Sequence, residues 1–228
     1  MNGEEKDREN DDTIVIFDFD GTLSPYDTFS KFFNHFLKTH PFRLVLFIII
    51  LPSIIPFLLI KHTTEFALNF TLWSCTLGLT LKDWQREIND FAVEFSSQCN
   101  LLYADGLRQL RFHQEKEHRI FIVTGSSEEL IQAICHQFDL SKITVIGSVM
   151  YPFYYGIITH RRCLGIEKIH QLKDRYQLSR WTYIYTDSVS DMPLLERSEF
   201  KIMVNPKAKD WKKAKRYLGD QLQKLSWA

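Results

Sequence analysis

Little in this sequence could hold a fold together through covalent links or bound metal. The four cysteines in 228 residues (Cys75, Cys99, Cys135, Cys163) show no Cys-x-x-Cys spacing. A chain of this length can bury a core without a disulfide framework, so they read as reduced thiols facing the cytosol. The eight histidines lack metal-ligand spacing as well. Net charge is missing too: Lys plus Arg equals Asp plus Glu at 28 each, so no nucleic-acid partner is expected. Residues 1–12 are polar and acidic, without the basic start and apolar stretch of a secretory signal, and read as a short disordered tail. No internal repeat or low-complexity tract stands out, and nothing in the pattern sets an oligomeric state.

The remaining composition, 45% apolar and 25% charged, is that of a globular domain. Ile14–Phe17 is a short β-branched run that ends at once in acids and a glycine, the mark of a buried strand feeding a functional loop. Arg119–Val123 runs into Thr124-Gly125-Ser126-Ser127 and Trp181–Tyr185 into Thr186-Asp187-Ser188 in the same way, and Lys201–Val204 ends at Asn205-Pro206. Apolar residues three and four apart predict helices over 105–117, 128–138 and 165–176. Strands alternating with helices imply an α/β fold, a Rossmann-like parallel sheet flanked by helices, with the site beyond the strands' carboxyl ends. Amphipathic stretches at 29–37 and 81–95, with few strand signals between them, predict a helical cap inserted after the first strand. The expected organisation is therefore a core of 13–28 and 100–228 around a cap of 29–99. Val149–Arg162, rich in Tyr and β-branched residues around Gly156, predicts a β-hairpin beside the site.

Four pieces carry chemistry: the pair Asp18 and Asp20, the hydroxyl of Thr124, the lysine Lys168 opening a helix, and the pair Asp187 and Asp191. Taken singly, each reads as a cap, a turn or a solvated side chain. Together, each at a strand or helix end, they supply hard oxygen ligands suited to Mg²⁺. The motifs Asp18-Phe19-Asp20-Gly21-Thr22, Val123-Thr124-Gly125-Ser126, Lys168 and Asp187–Leu195 resemble those of the haloacid dehalogenase superfamily of phosphatases, over residues 14 to 206. Thr186 stands where a glycine often precedes the last motif, which puts the conformation of that loop in question. The resemblance implies that Asp18 attacks phosphorus to form an aspartyl-phosphate. It implies that Asp20 protonates the leaving group and then activates water, and that Thr124, Gly125 and Lys168 bind the phosphoryl oxygens. Mg²⁺ would be held by the Asp18 side chain, the Asp20 backbone carbonyl and Asp187, with Asp191 holding a metal-bound water or orienting Lys168.

Leu44–Ile60 contains seventeen residues without a charge, the lower edge of the ~17–25 that a membrane-spanning helix needs. Spanning, a buried cap helix and a membrane-dipping hairpin are the three readings. A single crossing would part Asp18 from Thr124, Lys168 and Asp187. Pro52 and Pro56 disfavour a straight helix, so the expectation is a hairpin at about 42–60, bent at the prolines, with Lys38, Arg43 and Lys61 among anionic head groups. The stretches Leu72–Gly78 and Arg162–Lys168 and the surroundings of Leu51-Pro52 and Ile60-Lys61 are similar to the bacterial phosphatidylglycerophosphatase C type. That likeness implies a phospholipid phosphate substrate, phosphatidylglycerophosphate, and a monotopic protein on the cytoplasmic face of the inner membrane. The alternative is a soluble phosphatase for phosphoserine or sugar phosphates. Arg162 is a candidate second phosphate contact, because its guanidinium fork suits phosphodiester oxygens. The basic stretch Lys207–Arg216 reads as a solvated C-terminal helix or an added membrane attraction.

Overall fold

The computed structural model describes residues 13–60, 62–97 and 101–228; the expected N-terminal tail lies outside them. The core strands are β1 (Ile14–Phe17), β2 (Arg119–Ser127), β3 (Thr144–Phe153), β4 (Gly156–Arg161), β5 (Trp181–Thr186), β6 (Ser198–Val204) and β7 (Leu222–Leu225). They form one sheet in the order β4-β3-β2-β1-β5-β6-β7, parallel except for the β3–β4 hairpin. The expected α/β architecture is present.

Strand β1 lies between β2 and β5, with Val15 opposite Ile120 on one side and Tyr183 on the other. A strand paired on both edges and covered on both faces must be apolar throughout. Val15 and Phe17 accordingly point into one cluster with Ile120 and Ile122, while Ile16 points into the other with Phe121 and Val123. Chain order reverses at β1, so the crevice beyond β1, β2 and β5 is the topological place for a ligand.

The helices are α1 (Thr28–Thr39), α2 (Pro41–Leu59), α3 (Thr64–Thr76), α4 (Leu81–Ser96), α5 (Ala104–Glu115), α6 (Glu128–Gln137), α7 (Ile166–Tyr176), α8 (Met192–Glu196) and α9 (Ala208–Leu218). Helices α1 to α4 are inserted between β1 and α5. Helix α1 starts at Asp27, whose carboxylate accepts from the Ser30 amide, and α4 starts with a reciprocal capping box between Thr80 and Asp83. The two pack through fully buried Phe32 and Trp84, ring centroids 5.1 Å apart.

The hairpin expected within 42–60 forms elsewhere. Residues 41–59 make one helix that runs through Pro52 and Pro56, and α3, from Thr64, returns alongside it. The prolines are four residues apart and both exposed, so their missing donors fall on one outer face while the opposite face keeps its ladder. At the helix end, the hydroxyls of Thr63 and Thr64 donate to the carbonyls of Phe57 and Leu58, at 2.8 and 3.4 Å. Arg43 is also placed differently from expectation. Its guanidinium donates to the carbonyls of Cys75 and Leu77, at 2.5 and 3.0 Å, tying the start of α2 to the end of α3. A further difference lies past α9: the chain ends in the short strand β7, parallel to β6, where only a helix was expected.

Candidate active site

The loop after β1 turns back sharply, with the amides of Thr22, Leu23 and Ser24 all donating to the Phe19 carbonyl. That turn directs Asp18 and Asp20 into the crevice. Lys168, in the first turn of α7, donates to Asp18 Oδ1 at 2.8 Å and to Asp191 Oδ2 at 2.9 Å, all three side chains buried. Thr186 donates to the same Asp191 oxygen at 2.8 Å. Asp20 is held by the Thr28 amide on Oδ1 (2.8 Å) and by the Ser126 hydroxyl on Oδ2 (2.5 Å). The Thr124 hydroxyl is fully buried, 3.5 Å from Asp20, and accepts from the Ser126 amide. Asp187 is half-buried against Gly21. A Cβ on Gly21 would lie 2.5 Å from Asp187 Oδ2, and Gly21 has φ +82°, so only glycine admits that carboxylate here.

The haloacid dehalogenase-like hydrolase family description matches residues 15–196. The chain belongs to that family. A histidinol-phosphatase of Neisseria meningitidis serogroup C (strain 8013) is 25% identical over 146 residues, 58% of this chain and 64% of that relative; the chain thus spans less than two thirds of its length. A solved protein of unknown function from Bordetella pertussis Tohama I superposes with a TM-score of 0.66 at 18% identity, covering 93% of this chain and 98% of that one. A phosphoserine phosphatase carrying a phospho-aspartyl intermediate analogue superposes with a TM-score of 0.54 at 12% identity, over 93% and 92%. Both structures share the fold.

In this haloacid dehalogenase-like hydrolase the site is under-supplied with positive charge. Burial would strip the Lys168 ammonium of its proton, but Asp18 and Asp191 more than compensate and hold its pKa above the usual range. The acids take the opposite strain. Burial raises Asp18 despite the pull of Lys168, and the Asp191 and Asp187 charges raise it further. Burial and then Asp191 push Asp187 up to about 6. Asp191 Oδ1 is buried with no hydrogen-bond partner among the described residues. Three carboxylates around one ammonium, one of them with an orphaned oxygen, fit a hard divalent cation. No group of three or more His, Cys, Asp or Glu side chains poised for an ion occurs among the described residues, so water, backbone and substrate would complete the coordination.

These residues open into a cavity of about 750 Å³. Its floor is Asp18, Asp20, Lys168, Asp187 and Asp191; Gly125 and Ser126 line one side, and Arg162 and Lys207 reach it as cations in no ion pair among the described residues. Phe29, Phe33, Leu68, Leu72 and Met150 add apolar lining, interleaved with Tyr26, Ser30, Thr71 and Thr159.

All eight residues expected from the sequence come together around this crevice. Thr124 lies behind the cavity lining, its buried hydroxyl near Asp20, while its neighbours Gly125 and Ser126 line the cavity. Sequence reading missed Thr186, whose hydroxyl fixes Asp191. It also missed Ser126 and the Thr28 amide, which hold Asp20. The departure from glycine at 186 was the available signal, since a hydroxyl there can do what a glycine cannot.

Proposed function

We propose that this chain is a Mg²⁺-dependent phosphomonoester hydrolase working through an aspartyl-phosphate, and that it takes a lipid phosphate, phosphatidylglycerophosphate, at a membrane surface. The cavity wall carries the lipid half of this reading. Leu68 and Leu72 belong to α3, the partner of the apolar helix α2, so the non-reacting part of a substrate meets the same hairpin whose outer face is exposed. Helix α2 is long and apolar enough to cross a bilayer, the only such helix among the described residues. Asp18 before it and Lys168 after it lie 2.8 Å apart, which supports a helix seated in one leaflet over one that crosses; the reading puts it on the cytoplasmic face.

Asp18 attacks phosphorus while Lys168 offsets charge on the phosphoryl oxygens and the end of β2 at Gly125 orients them. Asp191 and Thr186 keep Lys168 in place. Burial raises the Asp20 carboxyl against its hydrogen bonds from Ser126 and Thr28, as suits a group that first protonates the departing alcohol. Asp20 then takes a proton from the water that cleaves the aspartyl-phosphate, releasing phosphate and restoring Asp18. The Asp18 and Asp187 side chains and the Asp20 carbonyl would hold Mg²⁺, which when bound offsets phosphoryl charge and favours ionised Asp18. Arg162, on the cavity lining, would meet a second, diester phosphate.

The names of the histidinol-phosphatase and phosphoserine phosphatase relatives favour a second reading, a soluble small-molecule phosphatase. Phosphate release from phosphatidylglycerophosphate, phosphatidate and phosphoserine, each with and without Mg²⁺, separates the two. The lipid reading expects the first substrate to lead. A preference for phosphoserine, by a protein that stays soluble without detergent, replaces it with the second. Activity unchanged by chelation overturns the metal assignment.

A further inference from the structure

The β3–β4 hairpin ends in a two-residue turn, Tyr154-Tyr155, with both residues in the left-handed region (φ 39° and 63°). Such a turn demands positive φ at both positions and is ordinarily filled by Asn-Gly or similar residues. Two tyrosines there are strained, and although the Tyr154 ring meets Phe153 edge-on at 4.6 Å, Tyr154 is 74% and Tyr155 86% exposed. The turn is nonetheless firmly held. Trp73 Nε1 donates to the Tyr154 carbonyl at 3.1 Å, and the Gly78 amide donates to the Tyr155 carbonyl at 2.6 Å. Gly156 allows this approach, for a Cβ there would lie 2.7 Å from the Trp73 indole.

Trp73 is also the end of a ladder of rings. Phe57 meets Phe66 at 6.4 Å, Phe66 meets Phe70 at 6.2 Å and Phe70 meets Trp73 at 5.9 Å between centroids. The three phenylalanines are exposed. An aromatic surface therefore runs from the end of α2 along α3 to the turn. Carboxylates are sparse on it: residues 40–64, 66–76 and 149–160 contain neither Asp nor Glu, and Glu65 at the start of α3 stands alone among them. Uncharged or basic aromatic surfaces suit the zone between acyl chains and anionic head groups, where tyrosine places its ring in one phase and its hydroxyl in the other.

We propose that the Tyr154-Tyr155 turn is an interfacial anchor that seats among the head groups of a phospholipid bilayer, beside the α2–α3 hairpin. This rests on the membrane half of the reading above and not on the identity of the substrate. The anchor fixes how the apolar hairpin lies. With contacts at the turn by the start of α2 and along its length, the helix lies flat and the cavity mouth is held at a constant height above the lipid.

The test replaces the turn by its unstrained equivalent, Y154N/Y155G, in the full chain. Relief of strain should raise Tm by ~3 °C, hydrolysis of p-nitrophenyl phosphate should be unchanged, and association with phosphatidylcholine/phosphatidylglycerol vesicles should fall about tenfold. Opposite movements of stability and vesicle binding would support the anchor. A variant with raised Tm and undiminished vesicle binding overturns it. Failure of the unaltered protein to bind vesicles overturns the anchor and the membrane reading together. A change in self-association on gel filtration, without loss of vesicle binding, assigns the turn to a contact between copies and also overturns the anchor.

Discussion

The α/β core and the helical insert solve opposite problems. In the core, charge is taken out of water and met by partners: Lys168 by Asp18 and Asp191, Asp191 Oδ2 by Thr186, Asp20 by Ser126 and Thr28, with Asp191 Oδ1 left unpaired among the described residues. In the insert, apolar side chains are left in water: Phe42, Ile49, Leu59 and Phe66 are all exposed. Buried ions are tolerated only where partners and chemistry require them, and a broad exposed apolar face is tolerated only where something else covers it. One region thus announces a reaction and the other a surface. If that division is right, changes in the core should alter turnover on every substrate, while changes on the outer face of the insert should leave a soluble substrate untouched.

The sharpest test of the core is Asp18→Asn. Phosphate release should drop by more than about 10⁴-fold, since a nucleophile has no substitute; residual activity near the unaltered level would remove Asp18 from its role. Asp20→Asn should cost ~10²–10⁴-fold, and rapid-quench labelling should find phosphoenzyme accumulating on substrates with good leaving groups. An effect below tenfold would mean that another group handles the proton.

A third expectation concerns stability. His113 is buried beside Tyr185, which its Nε2 meets at 3.0 Å, and burial, then the neighbouring His118, lowers its pKa to about 4. The folded protein therefore keeps it neutral where the unfolded chain, near 6.5, would bind a proton. Stability contributed this way is present above pH 6.5 and lost as pH falls toward 4. Urea denaturation should show about 2 kcal/mol less stability at pH 5 than at pH 7, and His113→Gln should flatten that slope. The smallest effect belongs to the insert. Ile48→Ser with Ile49→Ser should leave p-nitrophenyl phosphate hydrolysis within about twofold, because exposed substitutions away from the site rarely matter, while sedimentation with vesicles weakens. Loss of soluble-substrate activity would show the two regions to be less separate than their packing suggests.

The same division decides what the sequence made legible. The core's strands are short apolar runs that break into acids, so Ile14–Phe17 was readable to the residue and the site residues followed from the strand ends. The insert was readable as helical at 29–37 and 81–95, where one face is apolar and the other charged. Helix α3 escaped because its apolar residues go nearly all round it, leaving no periodicity. Pro52 and Pro56 misled, since a lost donor on an exposed face need not bend a helix whose other side is intact. Strand β7 escaped because four residues on a sheet edge leave too short a pattern. Thr186 was visible only as an exception, and its hydrogen bond to Asp191 belongs to a residue five positions on, across a turn that local propensity does not specify.

One contact has an evolutionary reach beyond its length. The amide that holds Asp20 comes from Thr28, the first residue of α1, so the proton-transfer group is positioned by the insert's opening turn rather than by its body. The outer surface from the second turn of α1 to α4 can then be rewritten for a new substrate without retuning the acid–base step, provided Asp27 and Thr28 keep that turn in place and Phe32, Trp84, Ile88, Phe91 and Phe95 stay in the core that they share with β1. A library randomised at the insert's exposed positions but anchored at Asp27 and Thr28 should return folded hydrolases of altered specificity far more often than one that also varies those two. The insert is in that sense an exchangeable fitting with a fixed socket.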